Sequence, residues 1–103
     1  MSTLLTKWGY QVFKATEPEQ AIELIQQENI QVWLVDQHLN NNKIGLDFIL
    51  ENRQEQVPVA LITADSDPEL PQHLKELNIV LLKKPLKPAS LRSWLSGLKI
   101  SSP

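Results

Sequence analysis

Three short stretches of this chain are apolar without interruption: VWLV at 32–35, VPVALI at 57–62 and IVLL at 79–82. A strand with one wet face alternates apolar and polar residues, because successive side chains point to opposite sides. Unbroken runs of this length fit strands covered on both faces, the arrangement of parallel sheets flanked by helices. Between the runs, apolar residues recur at helical spacing, so that from Thr16 onward helix and strand alternate with short connections. That alternation predicts an α/β domain built on a parallel sheet.

The helices can be placed from their ends and stripes. In TEPE, Thr16 can cap and Glu19 can reach back to it as a capping box, with Pro18 tolerated in the first turn, which predicts a helix from about Glu17 to Glu28. Leu46, Ile49 and Leu50 fall at i, i+3 and i+4, which predicts a helix over 46–54 with that stripe on the sheet. Leu70, Leu74 and Leu77 mark a helix over 69–77, expected to be short and weakly held because Pro68 and Pro71 crowd its start. Leu91, Trp94, Leu95 and Leu98, with Pro88 near the beginning, mark the clearest amphipathic helix. At the front, Leu4, Leu5 and Trp8 share a helical face, Gly9 is placed as its C-terminal cap, and YQVFKA at 10–15 reads as a strand. The tail ISSP is expected to be loose.

With 103 residues the chain has room for one core, hence a single domain over 1–103. Its 42% hydrophobic and 21% charged residues exclude a disordered or fibrous chain. The net charge is −2 and the Lys and Arg residues are scattered, so no basic stripe offers a surface to nucleic acid. Cysteine is absent, which removes disulfides, thiolate zinc and thiol chemistry. No apolar run is long enough to span a bilayer and no signal-peptide layout opens the chain, so a cytoplasmic domain is expected, with no membrane contact in this segment. Gly9, Gly45 and Gly97 lie outside any phosphate-binding glycine pattern, and no serine sits in a G-x-S-x-G elbow. Trp8, Trp33 and Trp94 lie in apolar stripes or runs and read as core or interface residues. His38 and His73 lack a second histidine at ligand spacing and are expected at the surface.

In open parallel sheets, ligands and reactive groups gather beyond the carboxyl ends of the strands. Asp36 follows VWLV, Thr63 follows VALI, and Lys84 follows the strand IVLL within LLKKPLKP. A carboxylate, a hydroxyl and an ammonium at one rim are a nucleophile, a hydrogen-bond donor and a counter-charge, the groups needed to receive a phosphoryl. Each alone has an ordinary reading too: an acid after a strand can be a turn residue, threonine is common in strands, and lysine before proline can be a solvated loop. The same strand-end placement three times favours a site.

Four motifs in order carry a resemblance to the receiver domains of two-component response regulators, running from residue 1 to about 99. They are LVDQHL around Asp36, GLDFI at 45–49, ITAD with Thr63 and Ala64, and KKP with Lys84 and Pro85. The resemblance implies a flavodoxin-like, doubly wound parallel sheet, and a signalling module in place of an enzyme. It implies that Asp36 accepts a phosphoryl group from a histidine kinase or phosphotransfer protein, that Thr63 binds the phosphoryl, and that Lys84 pairs with its charge. A cis peptide between Lys84 and Pro85 is implied as well. The family often carries an aromatic switch residue where Leu81 stands here. The loop QHLNNNKIG is long, as in receivers attached to hybrid sensor kinases.

The chain departs from the family's pattern at its start. STLLTKWG resembles the latter part of the family's first helix, so the first, central strand is expected to be missing, together with the acidic pair that joins the phosphoacceptor in holding Mg²⁺. Asp36 and, weakly, the backbone carbonyl of His38 would remain as metal ligands, and Asp65 is not expected to replace the pair. Weak Mg²⁺ binding and poor phosphorylation are therefore expected. A start at an internal methionine of a longer gene is favoured over a degenerate, interaction-only pseudo-receiver, because Asp36, Thr63 and Lys84 are all kept. The bared sheet must be covered, by YQVFKA sliding onto VWLV or by a second copy of the chain in a homodimer.

Overall fold

Each apolar run becomes a strand of one sheet. The computed structural model describes residues 2–38, 44–54, 56–64 and 68–98. Within them β1 (Trp33–Asp36), β2 (Val59–Thr63) and β3 (Val80–Lys83) lie in the order β1-β2-β3, both pairs parallel. Trp33 is in register with Val59, Asp36 with Ile62, and Thr63 with Lys83. The central strand, β2, is buried along its whole length, as an unbroken apolar run requires. It starts at Val59: Pro58 has no N–H for a ladder, although its carbonyl accepts the Trp33 N–H at 3.0 Å.

Helices cover both faces of the sheet: α1 (Ser2–Lys7), α2 (Pro18–Gln27), α3 (Gly45–Asn52), α4 (Leu70–Glu76) and α5 (Pro88–Ser96). On one face Trp33, Val35, Val59 and Leu61 pack with Phe48 and Ile49 of α3, with Leu70 and Leu74 of α4, and with the partly buried Ala21, Ile22 and Ile25 of α2. On the other, Ala60, Ile62 and Leu82 pack with Leu5 of α1 and with Leu91 and Leu95 of α5. Alternate strand residues thus feed two cores, which is why the runs contain no polar face. Arg53, just past α3, donates from Nη1 to the Leu77 carbonyl at 2.7 Å and ties the ends of α3 and α4 together. This is the doubly wound α/β architecture expected, with three strands among the described residues.

Several local expectations are corrected. The helix α2 has Glu17 at its N-cap, one residue later than expected, so the position that can reach back is Gln20 and not Glu19. Gln20 Oε1 accepts the Thr16 N–H at 2.9 Å and the Thr16 hydroxyl at 3.0 Å. In α3 the helix begins at Gly45, which turns Phe48 and Ile49 inward; Leu50, expected on the sheet, is 46% exposed. The short α4 has Pro71 in its first turn, as expected. Leu5 is the buried residue of α1, and Gly9, with a φ of 96°, ends it.

The largest difference is at YQVFKA, where residues 10–15 form no strand. Their sequence suits a pleated surface, but a strand exists only against a neighbour that completes its ladder. None is beside them: no backbone hydrogen bond joins residues 10–15 to β1, and cavities of 260 and 390 Å³ lie between. The expected slide of this segment onto VWLV has not occurred. The centre of the QHLNNNKIG loop (39–43), Asp65 and the ISSP tail lie outside the described residues.

Candidate functional site

The parallel register carries Asp36, Thr63 and Lys84 to one end of the sheet. Asp36 closes β1 in register with Ile62, and Thr63, one step further, closes β2. Two bonds continue the pairing past the strand ends: the Gln37 N–H donates to the Ile62 carbonyl and the Lys84 N–H to the Thr63 carbonyl, each at 2.9 Å. Thr63 is fully buried. The peptide between Lys84 and Pro85 is cis, as the resemblance implied.

Lys84 Nζ lies 2.7 Å from Asp36 Oδ2, and the other oxygen, Oδ1, accepts the His38 N–H at 3.1 Å. Burial pushes the Asp36 carboxyl up, but the Lys84 hydrogen bond, the His38 N–H and the charges of Lys84 and His38 outweigh it. The pKa is held below the ordinary carboxylate value. Asp36 is therefore ionised at neutral pH. The two side chains of the pair are 43% and 42% exposed, so solvent reaches the carboxylate and screens the attraction.

Two further residues shape the site, and neither was picked out by spacing. A Cβ on Gly45 would collide with the backbone carbonyl of Asp36, so only glycine lets α3 begin this close to the strand end. Gln37 ties the same helix down: its carbonyl accepts the Gly45 N–H at 2.7 Å, and its Oε1 accepts the Leu46 N–H at 3.1 Å. The N-cap of α3 is Ile44, which has no side-chain acceptor, so Gln37 does the capping from the adjoining strand end. The signal in the sequence was a helix start without a capping residue, close after a polar residue that follows a strand-end acid.

The family model for the response regulator receiver domain matches residues 1–96. The chain belongs to this family. Solved receivers share its fold. It is similar to the chemotaxis response regulator CheY4 of Vibrio cholerae at 25% identity and a TM-score of 0.77, with 92% of this chain covering 82% of that one. It is also similar to a putative response regulator from Chloroflexus aurantiacus, at 23% identity and a TM-score of 0.78, with 92% and 81% of the chains covered. A signal receiver domain of a putative Luxo repressor protein from Vibrio parahaemolyticus matches at 21% identity and 0.77, over 92% and 75%. A search of curated proteins found no match.

Receivers typically take Mg²⁺ at this site. Among the described residues the donor set does not make up a shell for that ion. Asp36 holds one carboxylate oxygen against an ammonium and the other against an N–H. Among the described residues no three His, Cys, Asp or Glu side chains are grouped to share an ion, and Mg²⁺ demands a near-octahedral shell of oxygens. His38 meets Asp36 through its N–H.

Proposed function

We propose that this receiver is a phosphoacceptor in a two-component relay, with Asp36 taking the phosphoryl group of a phosphohistidine on a histidine kinase or phosphotransfer protein. One observation supports this above the others: an ionised carboxylate at the carboxyl edge of a parallel sheet, with an ammonium 2.7 Å away. A carboxylate oxygen of Asp36 attacks phosphorus, the P–N bond breaks, and the histidine ring keeps the bonding pair and takes up a proton. An acyl phosphate on Asp36 remains. Lys84 then pairs with the phosphoryl charge in place of the bare carboxylate, and Thr63, last in β2, is assigned the binding of a phosphoryl oxygen. The transfer is stoichiometric, so the domain signals and does not turn over substrate. It works as one domain over 1–103, in the cytoplasm, with a hybrid sensor kinase as the parent that its long loop after Asp36 fits. No described helix is long and apolar enough to cross a membrane.

That no three metal-ligating side chains are grouped among the described residues favours a second reading, an interaction-only pseudo-receiver that is not phosphorylated. The two are separated by incubating the chain with acetyl phosphate, and with a phosphorylated histidine phosphotransfer protein, each with and without Mg²⁺. Intact mass then reports phosphate, and amide shifts of Asp36, Thr63 and Lys84 report beryllofluoride binding. Slow phosphorylation that is lost in Asp36→Asn is the expected result. No added phosphate and no shift at these three amides, both in this chain and in one with the family's first strand and acidic pair added ahead of it, would establish the pseudo-receiver instead.

A further inference from the structure

Gln37, the residue after the phosphoacceptor candidate, is bonded in three directions. Its N–H donates to the Ile62 carbonyl at 2.9 Å, and its carbonyl accepts the Gly45 N–H at 2.7 Å. Its side-chain Oε1 accepts the Leu46 N–H at 3.1 Å. Beside these contacts His38 and Ile44 form an antiparallel bridge. One residue thus joins the sheet to the first turn of α3.

These bonds bear on Asp36 through two peptide planes. The plane between Asp36 and Gln37 is held by β2 at its N–H, and its carbonyl lies against Gly45, where a Cβ would collide with it. The plane between Gln37 and His38 has its carbonyl held by the Gly45 N–H. On its opposite side it carries the His38 N–H, which donates to Asp36 Oδ1 at 3.1 Å. A peptide is flat and stiff, so fixing the direction of its carbonyl fixes the direction of its N–H. The anchor of that carbonyl is the start of α3, which has no side-chain cap of its own at Ile44 and is held by Gln37 Oε1 instead. With Oδ1 turned to the His38 N–H, Oδ2 meets Lys84 Nζ at 2.7 Å.

We infer that Gln37 is a positioning residue for Asp36: its side-chain amide fixes the start of α3 and, through peptide 37–38, the direction of the carboxylate. The consequence for transfer rests on the phosphoacceptor reading. In that reading an oxygen already aimed at phosphorus needs no reorientation in the transition state, and a small misplacement of the reacting atom slows the step. The Gln37 oxygen is engaged with α3, so the residue acts through Gly45, Leu46 and the His38 N–H.

The test compares the whole chain with two variants of this residue. Gln37→Met keeps the length of the side chain but offers no oxygen to the Leu46 N–H, whereas Gln37→Glu keeps an oxygen at the same reach. Arg53→Met is the control, because it loosens α3 at its other end by removing the bond to the Leu77 carbonyl. Scalar couplings of the Asp36 β-protons report its rotamer, and solvent exchange reports the His38 amide. One dominant Asp36 rotamer is expected in the wild type, in Gln37→Glu and in Arg53→Met. In Gln37→Met the couplings should average over rotamers, and His38 should exchange at least about tenfold faster. Labelling by acetyl phosphate should slow at least about tenfold in the same variant and recover in Gln37→Glu. An Asp36 that already averages over rotamers in the wild type overturns the inference, and that measurement needs no variant to fold. So do wild-type couplings or wild-type labelling in Gln37→Met, no recovery in Gln37→Glu, or averaging in Arg53→Met as well. A wild-type chain that takes up no phosphate counts against the phosphoacceptor reading alone, and the Asp36 rotamer then decides the role of Gln37.

Discussion

Lys84 stands 48 residues beyond Asp36 in the chain, yet its Nζ meets Asp36 Oδ2 at 2.7 Å. The two residues follow or close strands that do not touch, because β2 lies between β1 and β3. The lysine side chain therefore spans the end of β2, where the Thr63 carbonyl holds the Lys84 N–H. Register, not sequence proximity, builds the pair.

Replacing Lys84 with methionine removes the strongest influence that lowers the Asp36 pKa and leaves burial, which raises it. A carbon-detected titration of the Asp36 carboxyl should show its pKa rising from the wild-type value. Folding stability should change by less than about 1 kcal/mol, because the pair is solvent-screened. An unchanged pKa would mean that the carboxylate does not depend on this contact.

The depressed pKa also sets a pH dependence. A folded-state value below the unfolded one means that Asp36 adds stability above the ordinary carboxylate range, and that this contribution is lost as pH falls through the folded value. The urea midpoint of the wild type, compared with that of Asp36→Asn, should therefore hold its advantage at neutral pH and lose it on acidification. A difference that stays constant down to strongly acidic pH contradicts the depressed value.

Gly45→Ala forces a methyl group against the Asp36 carbonyl, and either α3 or the end of β1 must move. A loss of about 1–3 kcal/mol is expected from chemical unfolding. Amide shifts should be largest at Asp36, Gln37 and Leu46, and a variant as stable as wild type would show that the helix start can yield.

Gln37→Ala removes the acceptor of the Leu46 N–H. The cost should be about 0.5–2 kcal/mol, the range for losing a helix cap, with faster exchange at the Leu46 amide while the α5 amides keep their protection. Uniform loss of protection would instead point to a general weakening of the core.

The sheet, its direction and the strand-end placement of Asp36, Thr63 and Lys84 were legible because they depend on apolar runs and on what directly follows them. The fate of YQVFKA was not, since its residues describe a surface that suits pairing and cannot report whether a neighbour is present. Leu50 was misplaced for a related reason: Leu46, Ile49 and Leu50 satisfy i, i+3, i+4 spacing, but Gly45, Phe48 and Ile49, one residue earlier, satisfy it as well. The contact of Gly45 with Asp36, invisible to spacing, selects Phe48 and Ile49. The Gln20 bond to Thr16 was missed by one position because the cap moved, not because the capping logic failed.

A strand laced along a single side is positioned less firmly than one laced along both, and Asp36 is the last residue of such a strand. Anything that completes the lacing of β1 narrows the range of places the carboxylate visits and so, under the proposed function, alters how readily it takes the phosphoryl group. Thermodynamic reciprocity then requires that a charged adduct on the carboxylate change the grip on whatever fills the edge by the same factor, so each event can be read out through the other.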